Sequence, residues 1–237
     1  MPALPAPHTR VSLPLEDRYF TRMASSLGDK VATILPWVEV GLVVDVGAGG
    51  GVLSTAIAEH TGSRVIVVDA AEDALRRLYA LEGITTLRRT VGVDREPFSA
   101  RPADTVVFCS VLHEVYSYAD DRWGAHANAI AAAAATLRVG GRLIIRDGVV
   151  PDRPQDQAMF RAPDDEFVRD YLARTPFEDL QLEHSRLGWW AGTRQAVSEA
   201  LLTVTWGPDS LPRESQERYE LATLDQYTQL VERHGFT

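Results

Sequence analysis

Short, continuous apolar runs alternate along this chain with longer stretches whose apolar positions recur at helical spacing. The first run, Leu42 to Val46, is closed by glycines and followed by a helical pattern over Val52 to His60. That is the mark of a strand buried on both faces entering a helix. Further strands are expected at Val65 to Val68, Thr85 to Val91 and Thr105 to Cys109, with a helix at Ala71 to Leu81. A long alanine-rich helix over Asp121 to Leu137 is then turned by Gly140-Gly141 into a strand at Leu143 to Ile145. Strands separated by helices imply parallel crossovers, so the pattern predicts one α/β domain around a largely parallel sheet.

The flanks read differently. Met1 to Pro14 is broken by Pro2, Pro5, Pro7 and Pro14, and two short helices follow at Leu15 to Leu27 and Lys30 to Val38. From Val150 to about Leu221 the rhythm breaks, and proline and charge clusters enclose helices at Asp164 to Ala173 and Thr193 to Thr203. The segment is too long for a simple connection and reads as a mainly helical cap inserted after the fifth strand. A last helix is expected at Leu224 to His234. The division is therefore an N-terminal arm and helical cover at 1–40, a core at 41–149, a cap at 150–221 and a last core helix at 222–237, within a single overall domain. The sequence stops at Gly235-Phe236-Thr237, where this kind of sheet would enter a terminal strand hairpin. The expectation is that the hairpin is truncated, that the sheet ends early, or that a partner supplies an edge.

Composition narrows the function. At 237 residues and 45% hydrophobic content the chain can bury one substantial core. A formal net charge of −9 disfavours a broad grip on nucleic acid or an acidic membrane, and favours a small-molecule partner. No run approaches the ~18 apolar residues of a membrane span, and the arm has no apolar core of a secretory signal. Cys109 stands alone, which excludes an intramolecular disulfide and fits a reducing cytoplasm. Lys30 is the only lysine, a bias that reads as base composition of the gene.

The chemistry begins at Asp45-Val46-Gly47-Ala48-Gly49-Gly50-Gly51. Glycines at 47, 49 and 51 allow positive φ and leave the backbone open to a ligand, while the next helix presents free amides to an anion. A tight turn alone would also use glycine. A dinucleotide fingerprint starting at Gly47 needs Gly or Ala at position 52, where Val52 stands, and one starting at Gly49 places Ser54 in the third slot. The pattern is D-x-G-x-G-x-G. It resembles motif I of the class I S-adenosylmethionine-dependent methyltransferases, and Val65-Ile66-Val67-Val68-Asp69 matches the acidic end of their second strand.

The resemblance covers Leu42 to Asp147. It implies a Rossmann-like sheet, S-adenosylmethionine as cofactor with S-adenosylhomocysteine as product, and contacts to it from Asp45, Gly47, Ala48, Gly49 and Gly51. Asp69, followed by Ala70, would accept hydrogen bonds from the ribose hydroxyls; Asp94 would lie beside the adenine amino group and Ser110 beside the methionine portion. Asp69 can equally stabilise the next helix dipole, and Asp94 can equally be a turn residue.

Methyl transfer aligns a nucleophile with a sulfonium and needs a base only where the acceptor must lose a proton. The continuation of the fourth strand, Ser110 to Tyr118, offers His113 as a base and Glu114 as its orienter or an acceptor contact, against the reading that both are structural. Tyr116, Arg146, Asp147, Trp189 and Trp190 are candidate acceptor contacts, with an internal Arg146–Asp147 pair as the alternative. Tyr19 and Phe20 are placed to cover the cofactor. No ligand spacing demands a metal, although His113, Glu114 and Asp147 are the residues that would gather one.

The sequence thus reads as a methyltransferase acting on a small molecule, at oxygen before nitrogen, in bacterial biosynthetic metabolism, with a homodimer left open. Its rivals are a catalytically degenerate cofactor-binding scaffold subunit and an NAD(P)-dependent oxidoreductase. RNA methylation is opposed by the acidity.

Overall fold

The computed structural model describes residues 20–22 and 25–237. The proline-rich arm, the first turns of the helix expected from Leu15, and Tyr19 lie outside them.

Five strands form one parallel sheet: β1 Leu42–Val46, β2 Arg64–Asp69, β3 Ile84–Arg88, β4 Ala103–Cys109 and β5 Leu137–Arg146, in the order β3-β2-β1-β4-β5. Alternation along each strand splits the apolar residues between two faces. Val43, Val65, Val67, Val107 and Cys109 pack on one side with α1 (Leu27–Ile34), α2 (Val52–Thr61) and α3 (Glu72–Leu78). Val44, Val46, Val68, Val106 and Phe108 pack on the other with Ala129, Ile130 and Ala133, and with Tyr227. Those partners come from α5 (Arg122–Thr136) and α9 (Leu224–Glu232). The sheet is therefore covered on both faces, as its nearly unbroken apolar strands require. The strand order reverses between β1 and β4, and the crevice at that reversal is where open α/β sheets bind ligands.

Three local outcomes differ from the sequence pattern. Gly28-Asp29 does not separate two helices but lies inside α1, which ends in a 3-10 turn at Leu35–Trp37 around Pro36. β5 begins directly at Leu137 and carries Gly140-Gly141 within it, with a shift of register against β4 between Ala103 and Thr105. Most consequentially, the segment after β4 does not continue as a strand. Ser110 adopts a left-handed φ of 56° and Leu112–Ser117 forms the short helix α4.

The segment after β5 has its two expected helices, α6 (Asp165–Arg174) and α7 (Arg194–Val204), and the one-turn α8 (Leu211–Glu214). It also holds an antiparallel sheet the pattern did not announce, β6 (Gln157–Phe160), β7 (Leu182–His184) and β8 (Trp190–Thr193), ordered β6-β8-β7. Its strands are too short for a period-2 signal to stand out. Among the described residues β5 pairs with β4 alone, and no strand hairpin follows α9.

Candidate active site

The loop after β1 is glycine-rich for two reasons. Gly47, Gly49 and Gly51 have φ of 70°, 54° and 76°. A Cβ on Gly47 would also come 2.2 Å from Cγ2 of Val111, so the loops after β1 and β4 touch there. The Gly47 amide donates to the Val68 carbonyl at 2.8 Å, and the Gly49 amide to Asp69 Oδ2 at 2.9 Å. Asp69 Oδ1 accepts from the Ala71 amide at 2.9 Å. Each carboxylate oxygen keeps acceptor capacity, and Asp69 lines the large cavity beside the loop.

That cavity, about 640 Å³, runs from Gly47, Gly49, Asp69 and Ala70 past Gly92 and Val93 to Ser110, Glu114, Tyr118 and Arg213. Asp94 is not on its wall. It pairs with Arg89 and accepts from the Glu96 amide, interactions that lower its pKa. A smaller cleft of about 40 Å³ adjoins, with Phe20 and Gly47 in both walls and Lys30, Asp45, Ala48 and Gly50 in its own. Asp45 is buried, accepts from Ser54 Oγ at 2.5 Å, and is raised by burial to about 6. Gly51 lines neither space and instead lets Leu78 and Leu81 approach the start of α2.

At the far end of the cavity the carboxylate of Asp147 organises α4. Its Oδ2 accepts from the amides of Val111, Leu112 and His113 at 3.2, 2.8 and 3.3 Å, and its Oδ1 from Gly148 N at 2.9 Å. The same Oδ1 lies 2.6 Å from His113 Nδ1. The other ring nitrogen, Nε2, is 3.5 Å from Glu217 Oε2, and the Tyr219 ring stacks on the imidazole at 4.5 Å. Burial alone would lower the His113 pKa, but the Asp147 charge and hydrogen bond, followed by Glu217, carry it well above the usual imidazole range. Burial would raise Asp147 and Glu217; the charge and hydrogen bond of His113 hold both below their ordinary values. The result is a buried imidazolium between two carboxylates.

Glu114, next on α4, faces the cavity instead. Its side chain is 28% exposed and accepts from Arg213 Nη2 at 3.0 Å. Burial, then repulsion from Glu217, raise its pKa to about 7 against the pull of Arg213 and His113. Arg213 Nε also donates to Glu217 Oε1 at 3.2 Å, and Tyr118 donates to that oxygen at 2.9 Å. His113, Glu114 and Glu217 offer three ligand atoms within 4.8 Å of one another, the nearest approach to a metal cluster among the described residues. The guanidinium of Arg213 already joins the two carboxylates and Asp147 holds His113 Nδ1, so the protein itself supplies the positive charge there.

The candidate acceptor contacts scatter. Asp147 is consumed by internal hydrogen bonds. Arg146 turns to Asp29 on α1 and to Ser110 Oγ at 3.3 Å. Tyr116 packs edge-on to Trp123. Trp190 is buried in the cap with its indole N–H on Asp165, and Trp189 lies under Arg161. None of these five lines the large cavity. In their place the cap contributes Arg213, with Glu217 behind it. Both sit in Arg213-Glu214-Ser215-Gln216-Glu217-Arg218, where mixed charge at helical spacing reads as a solvated surface.

A family model described as a methyltransferase domain matches residues 44–145. No curated protein matches the chain in sequence. Among solved structures, an O-methyltransferase family protein from Burkholderia thailandensis is 16% identical, with 92% of this chain aligned to 52% of that one at a TM-score of 0.52. A putative O-methyltransferase from Nostoc punctiforme is 15% identical over 97% of this chain and 57% of that one, at 0.50. A chain from the complex between the Haloferax volcanii Trm112 methyltransferase activator and the putative methyltransferase is 13% identical over 95% and 77%, also at 0.50. At these identities the likeness is one of fold, and this chain spans little more than half the length of the first two.

Proposed function

We propose, from the methyltransferase-domain match at 44–145, that the chain is a class I S-adenosylmethionine-dependent methyltransferase and that it methylates an oxygen of a small-molecule acceptor, with Glu114 taking the acceptor's proton. When bound, S-adenosylmethionine supplies an electrophilic methyl group on a sulfonium. The residues present suit it: Asp69 keeps acceptor capacity for two hydroxyls, Gly47 and Gly49 expose backbone, and the cavity continues past Ser110 to a carboxylate.

The position of Glu114 carries the reading. It borders the cavity, and a pKa raised to about 7 suits a base at neutral pH. His113 is the weaker proton acceptor, because both its nitrogens face carboxylates and an imidazolium has no free lone pair. It acts behind Glu114 as a positioning residue: its charge opposes that of Glu217, and the shared Asp147 fixes the start of α4. Arg213 holds the Glu114 carboxylate toward the cavity. An amine acceptor would use the same carboxylate after losing its proton. The cytoplasmic setting rests on the lone cysteine, and the biosynthetic role on analogy with the family alone.

The test is the pH profile of methyl transfer across a panel of hydroxylated acceptors. Wild-type kcat should rise with pH through about 7, and Glu114→Gln should lose roughly 10²- to 10⁴-fold while still binding S-adenosylhomocysteine. Full turnover in Glu114→Gln would remove Glu114 from the chemistry.

A further inference from the structure

Glu114 does not stand alone on the wall of the large cavity. Arg213, from the one-turn helix α8 of the cap, lines the same space and donates from Nη2 to Glu114 Oε2 at 3.0 Å. Its anchorage is separate from that contact. Nε donates to Glu217 Oε1 at 3.2 Å, and Tyr118 donates to the same oxygen at 2.9 Å. Burial would raise Glu217, but the hydrogen bond and charge of His113, then the charge of Arg213, keep it ionised. Nε therefore stays fixed whichever form Glu114 takes. A carboxylate from the core and a guanidinium from the cap thus face one cavity side by side. The wall around them is apolar, with Val111, Val115 and the ring of Tyr118.

We propose that Arg213 is a catalytic residue acting on an aromatic hydroxyl: as the acceptor O–H gives its proton to Glu114, the Nη2 that held the Glu114 carboxylate turns to the acceptor oxygen. This rests on the reading of Glu114 as the base, and adds to it a cation and a class of acceptor. The balance is closed. The proton goes to Glu114, the oxygen lone pair forms the new bond to the methyl carbon, and the electrons of the broken C–S bond stay on sulfur. A neutral carboxylic acid attracts a guanidinium far less than a carboxylate does. Protonation of Glu114 therefore releases Nη2 at the moment negative charge develops beside it, where a placed donor is worth most. A hydroxyl suits the pair because it donates to a carboxylate and accepts from a guanidinium. An ammonium offers Nη2 no acceptor and is repelled by it. Acidity then selects among hydroxyls: a phenol ionises at about 10, within about a thousandfold of Glu114 at about 7, a gap that a guanidinium contact narrows. An aliphatic alcohol is a far weaker acid, and the apolar wall is suited to a flat ring.

The alternative is that Arg213 only holds Glu114 in place. The two separate on a series of para-substituted phenols, from the acidic 4-nitrophenol to the weakly acidic 4-methoxyphenol. Single-turnover methyl transfer is followed by the S-adenosylhomocysteine formed, in wild type, Arg213→Met, Arg213→Lys and Glu114→Gln. Thermal unfolding and titration of S-adenosylhomocysteine are the controls for folding and for the donor site, and Arg213→Gln replaces Arg213→Met if the latter does not fold. Charge stabilisation at the oxygen predicts that Arg213→Met slows 4-methoxyphenol by about 10²- to 10³-fold and 4-nitrophenol by at least about tenfold less, with S-adenosylhomocysteine affinity within about threefold of wild type. Arg213→Lys should recover most of the lost rate. A loss of equal size across the series assigns Arg213 to holding Glu114 and overturns the proposal, and unchanged rates overturn it outright. Full turnover in Glu114→Gln overturns the base reading and the handover with it, whereas a large loss in Glu114→Gln beside a uniform loss in Arg213→Met overturns the handover alone. Wild type that binds S-adenosylhomocysteine yet methylates none of the phenols overturns the aromatic class, and the proposal with it.

Discussion

Replacing Asp147 separates its two possible roles, because an acceptor contact and an internal cap fail differently. Its side chain is 3% exposed and accepts five hydrogen bonds, three from the first amides of α4, one from Gly148 and one from His113. Asp147→Ala strands those donors and leaves the imidazolium with Glu217 alone. Breaking a buried pair by removing one partner costs about 3–5 kcal/mol. In a chain of this size each kcal/mol moves Tm by roughly 2–4 °C, so Asp147→Ala should melt about 6–20 °C lower. The loss should also follow pH. The depressed Asp147 contributes stability above its unfolded pKa of about 4, lost as pH falls through the lower folded value. The elevated His113 contributes below its unfolded pKa of about 6.5, lost as pH rises through the higher folded value. Both contributions are full between about pH 4 and 6.5, so the gap between wild type and Asp147→Ala in urea unfolding should be widest there. A variant within about 1 kcal/mol of wild type across this window, yet inactive, would return Asp147 to the acceptor and refute the internal-cap reasoning.

Two further substitutions test the packing around the site. Glu214 is buried, bonded to Tyr219 and raised by burial and by Glu217 to about 8, so its neutral form stabilises the fold below the unfolded carboxyl range and that stability drains away as pH climbs toward 8. Glu214→Gln should therefore raise Tm at pH 8 by the equivalent of about 1–3 kcal/mol and change little at pH 5; scanning calorimetry giving the same shift at both would contradict it. Gly47→Ala should lose stability and S-adenosylhomocysteine affinity together, because its Cβ would sit 2.2 Å from Val111 and its φ of 70° costs an L-residue about 1–2 kcal/mol. Adding Val111→Ala should restore part of the stability, and strict additivity in that double-mutant cycle would refute the contact.

The sheet was legible because its signal is local and repeated: apolar strands closed by glycine, with Asp45 and Asp69 at strand ends. The turn of the chain into α4 was not. Val111, Val115 and Tyr116 are compatible with an extended run, and what winds them into a helix is the carboxylate of Asp147, brought over from β5. Asp147 was visible as a charged residue at a strand end, but whether it faces ligand or protein is decided by amides that only the fold brings to it. Arg213 and Glu217 escaped notice for a related reason. Their partners, Glu114 and His113, are about a hundred residues earlier in the chain, and a charge-dense stretch gives no local sign of being buried.

The central claim is that the loop from Asp45 to Gly51, with Asp69, holds S-adenosylmethionine. Calorimetric titration of S-adenosylhomocysteine and NAD into wild type and Asp69→Ala measures it directly. The account predicts one equivalent of S-adenosylhomocysteine bound, affinity lowered at least about tenfold in Asp69→Ala, and no comparable NAD binding. Tight NAD binding with no response to S-adenosylhomocysteine would contradict it.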